Sequence, residues 1–449
     1  GPCGNSRRPR GRRGPVGPPE AEKGVRRPGY QANTMPLQTA RAVNYTLKPQ
    51  NMFDRLQRHC PDLSHIKCLP IRKSSKVAAN EDVVKCLVGD VDLLCAQTMP
   101  KCADIKSISE AKDEEVIQQV SVDVQKQLHT VLDVIRDVTA DRGEGPACQK
   151  HTQTEAVELL ENFLALDLPV QLLMDLPLLQ FEARKDVMNI CCALMWPGMP
   201  QQLERQVSQY LKHHPRVFSV LANGYENEEV ALQYGVVLRS YARHAELVEA
   251  FLATNLVFDL FRHIRSASLD VSSDALYTLR KVLMEHMDVS GPWLEANFRE
   301  FFAHYNGLLV SEDYLLQRQA LTFLAAMFYD RHFKKVMLAY INDDANLKVH
   351  MNLLLAKSRV LRYDAFQVFK IFAANPQKPR RVHVILHKNK EGLVKILEGI
   401  QAPKADDERF SNDQRTIIER LASLGPPPPA APASGAQGRL ASTGSTHCL

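Results

Sequence analysis

From about residue 82 onward, apolar residues recur three and four positions apart, as in Val230-Leu232-Val236-Val237 and Leu276-Leu279-Val282-Leu283, with no sustained alternation at period two. That spacing lines one side of a 3.6-residue turn, so the pattern predicts a succession of amphipathic helices and an all-α fold. Short breaks divide it at Pro197-Gly198, Asn223-Gly224, Ser290-Gly291-Pro292, Asn342-Asp343-Asp344 and Asn375-Pro376. Each break combines residues that leave helical dihedrals cheaply or lack a backbone donor.

The helical pattern repeats. Asp186-Val187-Met188-Asn189-Ile190, Ala231-Leu232-Gln233-Tyr234-Gly235, Ala275-Leu276-Tyr277-Thr278-Leu279, Ala320-Leu321-Thr322-Phe323-Leu324 and Ala365-Phe366-Gln367-Val368-Phe369 align with spacings of 45, 44, 45 and 45. The first position is small in four copies and the second is always apolar. Seven residues on stand Ala193, Leu238, Val282, Met327 and Phe372. Each unit carries a further hydrophobic helix, around Leu256-Phe258-Phe261, Phe301-Phe302, Leu347-Met351-Leu354 and Leu393-Ile396. A period near 45 with two or three helices per unit predicts an armadillo/HEAT-like helical-repeat solenoid, in which stacked neighbours share one continuous core.

Composition sets the limits of that solenoid. Residues 1–34 carry eight Arg and Lys against two Glu, a local charge of +6, so the other 415 residues of this +5 chain sum to about −1. A nearly neutral body gives no global electrostatic footprint for nucleic acid or an anionic membrane. Residues 1–34 and 425–449 also hold 11 of the 26 prolines and 11 of the 21 glycines. Such segments bury too little apolar area to offset chain entropy. The expected organisation is therefore a mostly disordered extension over 1–79, a scaffold domain over 80–424 and a disordered Pro/Ala/Gly/Ser-rich tail over 425–449. The chain opens on Gly1, which fits an upstream tag or translated leader with Met35 as a candidate start; an Arg-rich transit peptide is the alternative, though residues 1–34 hold one Ser and no amphipathic pattern. No signal-type apolar region and no 18-residue apolar run occurs, so a soluble cytoplasmic protein is expected.

Motifs that carry chemistry are missing. The ten cysteines contain no Cys-x-x-Cys pair, and Cys448 is not placed for prenylation. No Gly-rich phosphate loop, His-Glu-x-x-His, Gly-x-Ser-x-Gly or kinase signature is present. His213-His214 lie about 100° apart around a helix and read as surface histidines rather than metal ligands. Asp343-Asp344 and Asp406-Asp407-Glu408 lack the alternating oxygens and the glycine of a calcium loop. Arg239 and Arg243, one turn apart, suit either an acidic partner or a solvated outer face. The expectation is a protein without catalytic residues, metal or cofactor.

Particular segments resemble a known family. Gly224-Tyr225-Glu226, Glu229-Val230-Ala231-Leu232, Gly235, Leu238-Arg239 and Arg243-His244 are similar to the calcium-binding protein 39 family, the Mo-twenty-five scaffolds. So are Phe181-Glu182, Lys185-Asp186-Val187, Leu269-Asp270, Ser273-Asp274-Ala275 and Asp330-Arg331-His332. The longest likeness runs from Met351-Asn352-Leu353-Leu354 through Lys357-Ser358-Arg359 and Val368-Phe369-Lys370 to Ala374-Asn375-Pro376. It covers about residues 80–424. The resemblance implies a non-catalytic armadillo-like scaffold that activates protein kinases or pseudokinases of the germinal-centre type. In that family a concave face clasps the kinase and a pocket captures a Trp-Glu-Phe-like tail, in one assembly together with a liver-tumour-suppressor kinase. Carried across, Arg318, Lys348 and Met351 retain pocket positions, while Leu269 replaces a phenylalanine and Thr322 a lysine. Arg331 matches a kinase-contact position, and Lys334 stands where the family has an aromatic. A cargo or transport adaptor of armadillo type is the competing reading; its groove would use an asparagine and tryptophan ladder, and this chain has only Trp196 and Trp293, at non-equivalent positions.

Overall fold

The computed structural model describes residues 80–98, 110–139, 153–196, 199–403 and 407–427. The extension expected over 1–79, the Pro197-Gly198 break and the tail beyond residue 427 lie outside the described residues. Nineteen α-helices and no strand occur among the described residues. In chain order they are α1 (Asn80–Thr98), α2 (Glu110–Thr139), α3 (Gln153–Ala165), α4 (Leu168–Met174), α5 (Phe181–Ala193), α6 (Gln201–His213) and α7 (Arg216–Asn223). Next come α8 (Ala231–Tyr241), α9 (Ala245–Ala253), α10 (Val257–Ile264), α11 (Leu269–Glu285), α12 (Met287–Ala296) and α13 (Phe298–Leu309). The last six are α14 (Tyr314–Tyr329), α15 (Lys334–Ile341), α16 (Asp344–Leu353), α17 (Arg359–Ala374), α18 (Arg380–Glu398) and α19 (Glu408–Ala422).

The helices stack in three rows. One row, called here the ladder, runs α2, α5, α8, α11, α14, α17, α19, each packed on the next. A second runs α3, α6, α9, α12, α15, and a third α4, α7, α10, α13, α16, α18. Three helices per unit with like packed on like is the armadillo arrangement, and α1 closes one end against α2 and α3. All five copies of the aligned register fall on ladder helices. Their leading alanines, Ala231, Ala275, Ala320 and Ala365, are fully buried. A small side chain there lets ladder helices approach closely, and the apolar residue seven positions on fills the layer beneath, as Val282, Met327 and Phe372 do.

Side-chain caps punctuate the C-terminal half of the array. Asp313 Oδ1 accepts from Leu315 N at 2.8 Å and Leu316 N at 3.1 Å, capping α14. Asp343, Ser358 and Asp407 cap α16, α17 and α19 in the same way, each cap contributing about 1 kcal/mol. Asn255 leaves α9 with φ 60, a left-handed turn that asparagine tolerates. One break moves. Ser290-Gly291-Pro292 lies inside α12, and the chain turns instead at His286 (φ −123, ψ 76). His286 Nε2 is fixed 2.7 Å from Arg243 O, and Ser290 Oγ donates back to Leu283 O at 2.6 Å, satisfying a carbonyl near the end of α11. Gly291 permits close approach, since a Cβ there would stand 3.1 Å from His332 O.

The core between rows is dense in aromatic rings. Phe261, Phe301 and Tyr305 are fully buried and pack with centroids 5.4 to 6.4 Å apart, while Phe302 spans to Phe328 and Tyr340 of the next unit. Within it sits a polar cluster. Tyr340 Oη donates to Asn306 Oδ1 at 2.9 Å and lies 3.0 Å from His350 Nε2; Asn306 in turn donates to Asn346 at 2.8 Å. With the tyrosine proton directed to Asn306, His350 donates from Nε2 and leaves Nδ1 bare, and that atom has no partner. Burial pushes the pKa of His350 down to about 3 and, with Arg262 adding to the effect, that of His263 to about 4. Both are neutral in the fold and protonate near pH 6.5 when the chain unfolds. Between pH 6.5 and about 4 the unfolded chain therefore binds the extra protons, and stability falls as pH falls. The urea midpoint is expected to drop from pH 7 to pH 5, with a shallower slope in His350→Gln; equal slopes in the two proteins would contradict this account.

Candidate functional site

The ladder row carries exposed rings where a helix face would ordinarily be polar. Phe181 on α5, Tyr277 on α11 and Tyr314 and Tyr329 on α14 are exposed, together with Leu232 and Leu269. Three of the rings are backed by a cation from the same or the neighbouring ladder helix. Lys185 Nζ lies 5.4 Å from the Phe181 centroid, the Arg239 guanidinium 5.0 Å from Tyr277 and Lys370 Nζ 5.3 Å from Tyr329. Such contacts contribute roughly 0.5–1 kcal/mol at exposed sites and hold the rings in fixed orientations.

A groove of about 340 Å³ runs between α11 and α14, lined by Ser273, Leu276, Tyr277, Arg280, Leu315, Arg318, Gln319, Thr322 and Phe323. Arg318 and Thr322 are thus brought together on one wall. The Arg318 side chain is 47% exposed, and its Nε lies 3.3 Å from Asp364 Oδ2 on α17. Burial raises the pKa of that carboxyl, against the opposing pull of Arg318. The arginine therefore meets any ligand with one of its anionic partners already supplied by the protein. Leu269, 55% exposed, opens α11 four residues before Ser273, on the helix that forms the opposite wall.

The other carried-over residues lie elsewhere. Lys348 and Met351 are on α16, in the third row; Lys348 pairs with Asp344 on its own helix at 2.7 Å, and Met351 is half-buried against the core. Arg331 and Lys334 are exposed at the turn between α14 and α15. A second groove, of about 410 Å³, lies between α14, α17 and α19, where Lys370 bridges Tyr329 to Asp413. No cluster of three metal-ligating side chains occurs among the described residues.

Neither expected reading of Arg239 holds. Its Nη1 lies 2.8 Å from Asp274 Oδ2 in a pair with both side chains about 14% exposed, and it also donates to Thr278. Tyr225 Oη completes the node, 2.7 Å from Asp274 and 2.8 Å from Thr278. These groups come from the stretch before α8, from α8 itself and from α11, so one buried node joins two units. Tyr277 and Thr322 occupy equivalent register positions, where other copies have Met188, Gln233 and Gln367. A tyrosine at a position polar in its neighbours is the signal by which sequence alone could have placed an exposed ring there.

Three stacked rows and a long face bearing exposed rings define a helical-repeat scaffold of armadillo type. The chain belongs to the Mo25-like family, whose model matches residues 96–425. Calcium-binding protein 39-like of Homo sapiens is 32% identical over 320 residues, covering 70% of this chain and 90% of that protein. The degreening-related dee76 protein of Auxenochlorella protothecoides is 33% identical over 70% of this chain and 94% of its own length. A Mo25-like protein of Schizosaccharomyces pombe is 35% identical over 58% and 78%. Among the described residues no helix is long and apolar enough to cross a membrane.

Gly235 tests the node. A Cβ at this position would fall 2.0 Å from Asp274 Oδ2 and 2.4 Å from Tyr225 Oη. Alanine would gain about 1 kcal/mol of helix propensity. Opening a buried charged pair costs on the order of 2–3 kcal/mol, so the loss wins. Gly235→Ala is expected to lower unfolding stability by about 1–2 kcal/mol in urea titrations; a stabilised variant would show that the node yields without cost.

Proposed function

We propose that this chain is a non-catalytic scaffold that binds and activates protein serine/threonine kinases or pseudokinases of the germinal-centre type in the cytoplasm. The observation that carries the reading is the groove between α11 and α14, where Arg318 stands beside an apolar ledge formed by the exposed Leu315 above the buried Leu276 and Phe323. A half-exposed guanidinium over apolar surface suits a Trp-Glu-Phe-like tail, the carboxylate on the arginine and the rings on the ledge. Family membership supports the same reading, with Leu269 on α11 as a further peptide contact and Lys348 and Met351, on α16 outside this groove, proposed to meet the tail beyond it. Arg331 and Lys334, exposed at the α14 to α15 turn, are proposed to meet the kinase body, and a liver-tumour-suppressor-like kinase is the proposed third member of the assembly.

Activation by a scaffold needs no chemistry of its own. A face that binds the active conformer ten times more tightly than the inactive one shifts that equilibrium tenfold, about 1.4 kcal/mol. Exposed rings held by cations are preorganised and lose little entropy on docking.

Stoichiometric protein is expected to raise the activity of a cognate germinal-centre kinase while showing no phosphotransfer alone. Stimulation of none of the kinases of this class from the same organism would overturn activation; binding without stimulation would leave an armadillo-type adaptor. Because Arg318 is half exposed and already paired with Asp364, its contribution is discounted to about 1–2 kcal/mol. Arg318→Ala should therefore weaken a Trp-Glu-Phe-ended peptide by roughly five- to thirtyfold in calorimetry. Unchanged affinity would remove the arginine from the pocket.

A further inference from the structure

We infer that Tyr277 is an aromatic-recognition subsite of the α11 to α14 groove, where it stacks on a ring of an acidic, aromatic-bearing peptide. The inference rests on the tail-binding reading and adds the residue that reads the peptide's aromatic side chain. Tyr277 is 50% exposed and lines the groove, so half of a large ring faces solvent at the wall opposite Arg318. The Arg239 guanidinium sits 5.0 Å from its centroid and is itself immobilised by Asp274 and Thr278. The ring is therefore oriented by a buried network that reaches α8.

That arrangement is a platform. A ring whose orientation is fixed in advance has less freedom to lose when a second ring stacks on it, and aromatic pairs gain beyond their buried area when centroids lie 4.5–7 Å apart. Arg280, exposed one turn along α11, and Arg318 across the groove set positive charge around it. Ring recognition with cations on the rim selects a segment in which an aromatic residue adjoins a carboxylate. A stacked nucleobase would use the same ring, but the near-neutral charge of the chain beyond residue 34 and the pairing of Arg239 and Arg318 with carboxylates favour a peptide. Arg239 touches no ligand in this scheme and acts as a positioning residue. Leu269, apolar but not aromatic, leaves ring recognition to the tyrosine two turns further along the same helix.

The test uses the full chain and two synthetic twelve-residue peptides, one ending Trp-Glu-Phe and one ending Leu-Glu-Leu. Tyr277→Ala, at an exposed position that leaves the core intact, is expected to weaken the aromatic peptide by three- to tenfold and to leave the leucine peptide within twofold. Tyr277→Phe should bind both as the parent does. Arg239→Lys, which keeps the charge but not the planar fork, should weaken only the aromatic peptide, by about threefold. Equal loss for both peptides in Tyr277→Ala, or no loss for either, overturns the subsite while leaving the tail-binding reading in place. Failure of the parent to bind the aromatic peptide overturns both readings. Tyr277-dependent binding of an oligothymidylate in preference to the peptide overturns the peptide assignment.

Discussion

No unit of this chain can bury its own apolar face, and every other feature follows from that constraint. Phe302 on α13, for example, is buried with its ring against Phe328 of α14 and Tyr340 of α15. A fully buried phenylalanine contributes on the order of 1.5–3 kcal/mol through apolar burial, and the cluster from Phe261 to Phe372 sets many such contributions across unit boundaries. Stability therefore resides in interfaces between neighbours, and each interface has to be matched in shape on both sides.

Polar groups are arranged on the same plan. Arg184 reaches Glu229, Arg318 reaches Asp364, and Lys370 reaches Asp413, each across one repeat. These links differ in weight. The first involves an exposed glutamate and contributes little, whereas the Arg239–Asp274 pair is shielded and tied to Tyr225 and Thr278. Where the shielded node meets the surface, it orients Tyr277. The ladder thus couples interior order to a face of exposed rings, which is what a binding surface with low entropic cost requires.

Much of the architecture was legible in the sequence because repetition amplifies weak signals. A single Ala-Leu pair says little, but five copies in one register identify the ladder helices, and their leading alanines are buried in the structure. The Ser290-Gly291-Pro292 triplet misled because local propensity reads it as a break, while tertiary packing against the turn at His332 keeps it helical. Arg239 misled for a related reason. Its partners Asp274 and Thr278 lie 35 and 39 residues after it, Tyr225, which bonds the same two residues, lies 14 before it, and no periodic pattern announces such a node. The groove was half legible. Arg318 and Thr322 share a wall and the polar residues at the equivalent position of adjacent copies mark Tyr277 as an exposed ring, but the carboxylate of Asp364 beside Arg318 and the place of Tyr277 across the groove emerged only when the helices were placed side by side.

The separation of the linking contacts has a kinetic meaning. Tyr210 to Asp167, Lys370 to Asp413 and Arg318 to Asp364 close loops of 43, 43 and 46 residues, so the stacking of each unit on the one before it repeats a closure of nearly constant length. The entropy of loop closure then does not grow as the array lengthens, unlike that of a sheet whose first and last strands pair. A ribosome-bound chain can consolidate α5 to α10 while α17 to α19 are still being synthesised. The nascent end of the array exposes one unfinished apolar interface at a time, and the next unit to emerge is the segment shaped to cover it.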